Sequence, residues 1–294
     1  MPSCATPWSL TTVMLEAFQF EFMRGALAAC IALSLGAAPI GVFMLLRRMS
    51  LMGDAISHAI LPGAAVGYLV SGMSLGAMTL GGVTAGVTVA LLAGLVARRS
   101  ALREDASLAA FYLISLAIGV LLVSVKSRNV DLLHVLFGSV LSLDPEALVL
   151  IGGIATVSLL GLAVLYRPLV IECADPDFMR QAGGPGTLVH LGFLLLAVLN
   201  LVAGFHALGT LMAVGIMILP AATARLVCER LDTMLAVAIT AAATGSVGGL
   251  LVSFHLDLPA GPAVVLSLGV IYVVVLAAAA LRPRPRLATG NASA

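Results

Sequence analysis

Gly25–Leu46 reads GALAACIALSLGAAPIGVFMLL, twenty-two residues without a charge, and Arg47-Arg48 close it at once. A helix needs about 20 mostly apolar residues to cross a hydrocarbon core of roughly 30 Å. Lipid offers no hydrogen bonds, so the backbone must satisfy itself, and a helix does so within one segment. The stretch therefore predicts a transmembrane helix ending at the arginine pair. The same test applied along the chain selects Ala55–Val70, Gly76–Ala97, Leu108–Val125, Ala147–Tyr166, Leu188–Gly204, Ala207–Val227, Met234–Phe254 and Pro262–Leu281. That makes nine candidates. Two are near the lower length limit, so eight spans with one broken or re-entrant segment is the alternative.

Composition points the same way. The 294 residues are 61% hydrophobic and 10% charged, against about 25% charged for a soluble domain. So few charges cannot cover a water-facing surface, and the lipid membrane is the partner that replaces water. A net charge of +1 and the lack of any basic stretch with interleaved aromatics argue against nucleic acid. Thirty glycines suit close helix packing. Cys4, Cys30, Cys173 and Cys228 are scattered without metal-site spacing and read as structural or incidental. Residues 1–23 lack the layout of a signal peptide.

The expected fold is an all-α polytopic membrane protein in one unit. Residues 1–22 form an N-terminal segment, 23–281 the transmembrane domain, and 282–294 a basic tail, with Pro283 and Pro285, expected to lack order. Arginine placement sets direction. With Arg47-Arg48 inside, alternate connections hold Arg98, Arg99 and Arg103, then Arg167 and Arg180, then Arg225 and Arg230, then Arg282, Arg284 and Arg286. The other side holds only Arg24, Lys126 and Arg128. Nine crossings with the N-terminus outside and the C-terminus inside follow.

Ionisable residues within spans cost about 2.5–3.5 kcal/mol each at a helix centre. The clearest case is Arg47–Gly63, RRMSLMGDAISHAILPG. Asp54 and His58 are four apart and share one helix face. A carboxylate and an imidazole suit a borderline or hard divalent cation, although two ligands need others from a symmetry mate or another helix. Spacing alone leaves a second reading open. Asp54 would sit in the first helical turn, favoured by the helix dipole and near Arg47 or Arg48, and His58 would be a satisfied core histidine. Pro62, Gly63 and Gly67 describe a bendable helix packed closely on a neighbour, and Pro220 predicts a similar bend.

The longest polar connection runs from Glu172 to Gly184. Asp175 can cap a short helix that starts at Pro176 and ends at Gly183 or Gly184. It would present Phe178 and Met179 beside Asp177 and Arg180, either as an interfacial stub or as a knob for a cytoplasmic partner. His134, His190, His206 and His255 receive no role, although His206 is expected to start the seventh span and His255 to lie in an outer connection. No P-loop, His-Glu-x-x-His or Gly-x-Ser-x-Gly pattern is present. Energy for uphill transport must then come from another polypeptide or an ion gradient.

Arg47–Gly63 resembles the hallmark of the ABC-3 family of metal-ion permeases. The resemblance recurs at Arg103-Glu104-Asp105, Asp131–Asp144, Asp175–Gly184, Gly209–Leu226 and Leu256–Leu266, in order over nearly the whole chain after residue 22. Asn200–His206, NLVAGFH, departs somewhat from the pattern. The resemblance implies a type II ABC importer-like permease of the bacterial cytoplasmic (inner) membrane, homodimeric or pseudo-dimeric. Cytoplasmic ATPase subunits would dock below, and an extracytoplasmic metal-binding protein would deliver Zn²⁺, Mn²⁺ or Fe²⁺. It implies no permanent cofactor, only the transported divalent metal ion. Asp54 and His58 would line the metal path, and Asp175–Gly184 would be the coupling helix. A permease for a metal chelate of the cobalamin or siderophore type is the near alternative, and a gradient-driven secondary transporter the distant one.

Overall fold

The computed structural model describes residues 18–72, 74–99, 104–126, 144–174 and 186–281. Among them there are nine long helices and no strand. They are α1 (Glu21–Leu46), α2 (Ser50–Ser71), α3 (Leu75–Arg99), α4 (Glu104–Lys126), α5 (Pro145–Ala174), α6 (Gly186–Leu208), α7 (Thr210–Val227), α8 (Leu231–Leu256) and α9 (Ala260–Leu281). Seven are long and apolar enough to cross a membrane. The other two are α2, diluted by Ser, Gly, Asp and His, and α4, whose apolar stretch is only Ala106–Leu122.

Packing registers give the helix directions. Gly25 meets Leu148, Gly36 meets Ala155 and Arg47 meets Glu172, so α1 and α5 run parallel. Gly161 meets Leu196 while Gly192 meets Leu165, so α5 and α6 run antiparallel. The pairs Gly63–Gly81 and Gly67–Ala77 make α2 and α3 antiparallel, whereas Ala59–Ser115 and Pro62–Gly119 make α2 and α4 parallel. Gly249 on Val264 and Gly245 on Leu268 set α8 against α9. These directions agree with a chain that weaves back and forth and gathers Arg47, Arg225 and Arg230 at one end.

Helix α1 is the axis of the molecule, packed by α5, α6, α7 and α8. Its buried face is built from small residues (Ala26, Ala29, Gly36, Ala37, Ala38, Gly41), which lets partners approach its backbone. Helices α2, α3 and α4 form a sub-bundle that joins the rest through α6 and α7. Large apolar side chains such as Leu80, Val149, Val164 and Leu266 face outward, as a lipid boundary requires. Hydroxyls return to their own helix: Ser34 donates to the Cys30 carbonyl at 2.7 Å, Thr88 to Thr84 at 2.6 Å and Thr223 to Leu219 at 2.8 Å. Hydrocarbon gives them no other partner.

The observed ends depart from the expected ones in two informative places. Helix α5 does not stop at Tyr166 but continues through Arg167 and Pro168 to Ala174. Pro168 forfeits one helix hydrogen bond, yet fully buried Leu169 beyond it holds the helix on course. At about 1.5 Å per residue the helix is roughly 45 Å long, so it overshoots the apolar core. The second departure is the α6–α7 junction. His206 closes α6 rather than opening α7, and the chain turns at Gly209 alone, with φ 82°. Glycine reaches that conformation without steric cost, so no polar loop marks the break in the sequence.

Gly63 is the tightest point of the α2–α3 crossing, because a Cβ there would run into the Gly81 carbonyl. Overpacking of this kind costs about 1–3 kcal/mol. Gly63→Val is therefore expected to lower the thermal melting temperature of the detergent-solubilised protein by several degrees. Gly76→Val, at a position with open space around it, leaves it unchanged. Equal melting temperatures would show that the crossing is loose.

Candidate metal pathway

Four helices grip α2. Gly63 and Gly67 lie against α3, and the ring of Pro62 packs on Gly119 of α4. Ser115 of α4 donates to the Ala59 carbonyl at 3.3 Å. Gly53 touches Met217 and Ile218 of α7, and Gly82 and Gly86 of α3 close over Ile60 beside α6. Pro62 and Pro220 both lie inside continuous, buried helix. The first half of α2 leaves a narrow strip uncovered, Leu51, Asp54, His58 and Leu61, and beyond it Ala65, Val66, Tyr68 and Val70 are also partly or fully exposed. The spacing of three and four residues is that of one helix face. Asp54 and His58 bring a carboxylate and an imidazole to it.

The side chains of Asp54 and His58 are 63% and 32% exposed. His58 Nε2 stands 3.7 Å from Asp54 Oδ1, beyond hydrogen-bond reach. The imidazole stacks on Tyr112 of α4, centroids 6.2 Å apart and planes 29° from parallel, which fixes its ring. Two donors each about 2.1 Å from one ion at a tetrahedral angle lie about 3.4 Å apart. The pair can therefore reach a common cation with a small rotation.

Asp54 stands beyond the first turn of its helix. Helix α2 begins at Ser50, so Asp54 lies in its second turn, and no acidic residue occupies the first. The dipole effect fades within that first turn. Neither Arg47 nor Arg48 pairs with Asp54 among the described residues. Ser57 Oγ donates to the Asp54 backbone carbonyl at 2.7 Å, not to the carboxylate. Among the described residues, no group of three or more His, Cys, Asp and Glu converges on a point. The described residues thus bring one carboxylate and one imidazole side by side at this strip.

Arg47 is occupied elsewhere, in a cluster that the sequence did not reveal. Its Nη2 donates to Glu172 Oε1 at 2.9 Å and lies 2.8 Å from His190 Nδ1. Its Cζ is 5.2 Å from the centroid of the Phe193 ring. Arginine only donates, so His190 Nδ1 accepts and the imidazole carries its proton on Nε2. The partners are 125 and 143 residues away, and no local pattern announces them. A second missed feature lies deeper. Asn200 donates to Ser158 Oγ at 2.6 Å and to the Leu196 carbonyl at 2.9 Å, and its Oδ1 lies where a side chain at Gly36 would go. Asn200 of the NLVAGFH segment therefore ties α6 to α5 beside Gly36 of α1.

Of the other histidines, His255 sits in the last turn of α8, with Nδ1 2.8 Å from the Leu251 carbonyl. His134 and the proposed coupling residues Asp175, Asp177, Phe178, Met179, Arg180, Gly183 and Gly184 lie outside the described residues.

Comparison with known proteins gives a consistent result. The model of the ABC 3 transport family matches residues 19–279. The manganese import system permease protein ScaB of Streptococcus parasanguinis is 32% identical over 256 residues, covering 87% of this chain and 90% of that protein. The chelated iron transport system membrane protein YfeD of Yersinia pestis is 32% identical over 267 residues, covering 91% and 89%. Among solved structures, PsaBC from Streptococcus pneumoniae in complex with Fab superposes with a TM-score of 0.78 at 30% identity, covering 91% of this chain and 95% of that one.

Proposed function

We propose, for a chain that belongs to the ABC 3 transport family, that it carries a bare divalent transition-metal ion, Mn²⁺ foremost, along a seam between two copies of itself. Membership makes the chain a multi-pass permease subunit of an ABC importer for metal. It is a transport subunit rather than an enzyme, and a separate subunit hydrolyses ATP.

The open strip of α2 carries the reading. A half-exposed carboxylate facing acyl chains would cost about 2.5–3.5 kcal/mol on insertion scales. Facing a second protomer across a polar passage, the same group attracts a dication and replaces part of its lost hydration. Two strips supply two carboxylates and two imidazoles, enough for a four-coordinate ion. Their exposure keeps binding weak enough for release. Mn²⁺, Fe²⁺ and Zn²⁺ all accept this donor set. Relatives named for manganese and for chelated iron favour the first two over Zn²⁺. The compact donor pair favours a naked ion over a chelate. The protein then sits in the bacterial cytoplasmic membrane, receives its ion from an extracytoplasmic metal-binding protein, and presents Asp175–Gly184 to the ATPase.

Asp54→Ala and His58→Ala are each expected to cut uptake of ⁵⁴Mn²⁺ by about tenfold or more, a loss of roughly 1.4 kcal/mol or more in transition-state stabilisation, at normal expression. Wild-type uptake in either variant would end the pathway claim. Preference for a preformed iron chelate over free Mn²⁺ would transfer the protein to the chelate reading.

The seam has its own test. With the native cysteines replaced, Leu61→Cys is expected to form an oxidative cross-link between protomers, while lipid-facing Leu80→Cys is not. Cross-linking at Leu80 alone would place the seam elsewhere. For the coupling segment, Phe178→Asp with Met179→Asp is expected to abolish co-purification with the ATPase or to uncouple hydrolysis from uptake. Unaltered transport would rule that contact out.

A further inference from the structure

We propose that Arg47 is a positioning residue: through its buried clamp on Glu172 and His190 it ties both ends of the α5–α6 connection to the start of α2, the helix that bears Asp54 and His58. This rests on the reading of α2 as the metal path.

The placement comes first. Glu172 lies three residues before the 175–185 segment and His190 five residues after it, so a single guanidinium holds both legs of that connection. Arg47 itself is the residue that ends α1, and α2 begins at Ser50. Little slack separates them. Arg48 takes φ 58°, and the turn is closed by Arg48 N–H to the Leu45 carbonyl at 3.1 Å and Met49 N–H to the Met44 carbonyl at 2.9 Å. Met49 is buried beneath it. A shift of Arg47 therefore moves the start of α2 instead of being absorbed in a loop. Asp54 follows seven residues later, about one turn into α2.

The chemistry supplies two arrangements. In this structure Arg47 and Glu172 meet through one oxygen only, and Arg47 Nη1 and Glu172 Oε2 are both buried without a hydrogen-bond partner. A guanidinium and a carboxylate also pair through two parallel bonds. A small sliding of the end of α5 along α1 brings Nη1 to Oε2 and satisfies both orphan groups. An element with two discrete arrangements, each biased by the position of a neighbouring segment, is what carries coupling between distant sites. His190 and Phe193 keep the guanidinium in place while Glu172 changes register.

The test uses the assembled permease–ATPase complex in proteoliposomes, supplied with its metal-binding protein and Mn²⁺. The readout is Mn²⁺ moved per ATP hydrolysed. Glu172→Gln keeps the shape and removes the charge; Arg47→Lys keeps the charge and loses the fork. Both are expected to assemble and to hydrolyse ATP near the wild-type rate, with the ratio lowered about tenfold, within the usual span of coupling between sites. An unchanged ratio overturns the proposal. So does a parallel fall in transport and hydrolysis, or failure of both variants to assemble, since either marks a merely structural pair. If only Arg47→Lys fails to assemble, Glu172→Gln decides. Failure of the metal reading looks different: the wild-type complex itself then moves no Mn²⁺, and the same ratio is read with iron citrate.

Discussion

A charge has no comfortable place in hydrocarbon, and many polar groups among the described residues answer that constraint in one of a few ways. Hydroxyls of Ser34, Thr88 and Thr223 fold back onto their own helix carbonyls. Asn200 spends its amide on Ser158 and Leu196. Tyr166 donates to Asp232 at 2.8 Å, and Arg47 clamps Glu172, both at the arginine-rich end. Asp54 and His58 do none of these. They stand on an uncovered face of a helix gripped by four others, unlocked from each other at 3.7 Å.

The same constraint explains why α2 is held as it is. The polar residues of α2 leave it outside the set of described helices apolar enough to cross a membrane alone. Packing must supply what hydrophobicity does not. Gly63 and Gly67 bring its backbone onto α3, and Pro62 seats on Gly119 of α4. Without a hydrophobic drive between helices in lipid, close approach of small residues is a main source of association. The glycines and the charged strip belong to one design: one face bound tightly so that the other can be polar.

Sequence reading reached the spans because a run of apolar residues is a local property, visible without knowledge of neighbours. It could pair Asp54 with His58 because four-residue spacing is local too, and the structure sets the two side chains 3.7 Å apart. It stopped where partners are distant. Nothing near Arg167-Pro168 signals that α5 runs on to Ala174, because buried Leu169, not helix propensity, keeps it going. Gly209 hides the α6–α7 turn because one glycine needs no polar loop around it. The clamp joins residues more than a hundred positions apart, and each member looks ordinary in its own neighbourhood: an orienting arginine, an acid at a helix end, a histidine without a role. That the strip of α2 is open was likewise beyond reach, since exposure depends on which faces the other helices choose to cover.

The two acid–base pairs on either side of the α1–α2 turn differ in a way that bears on their work. Arg47 and Glu172 are close and mostly buried, and they are spent on each other; removing one would leave the other charge stranded, at a cost of about 3–5 kcal/mol. Such a pair suits the mechanical linkage proposed for it, because it can transmit displacement without exchanging partners with solvent. Asp54 and His58 are separated and half open, so neither must give up a strong bond to meet a cation. A transported ion needs donors of the second kind, and a machine that opens and closes around it needs a joint of the first. The chain places the two within seven residues, on either side of a turn too tight to stretch.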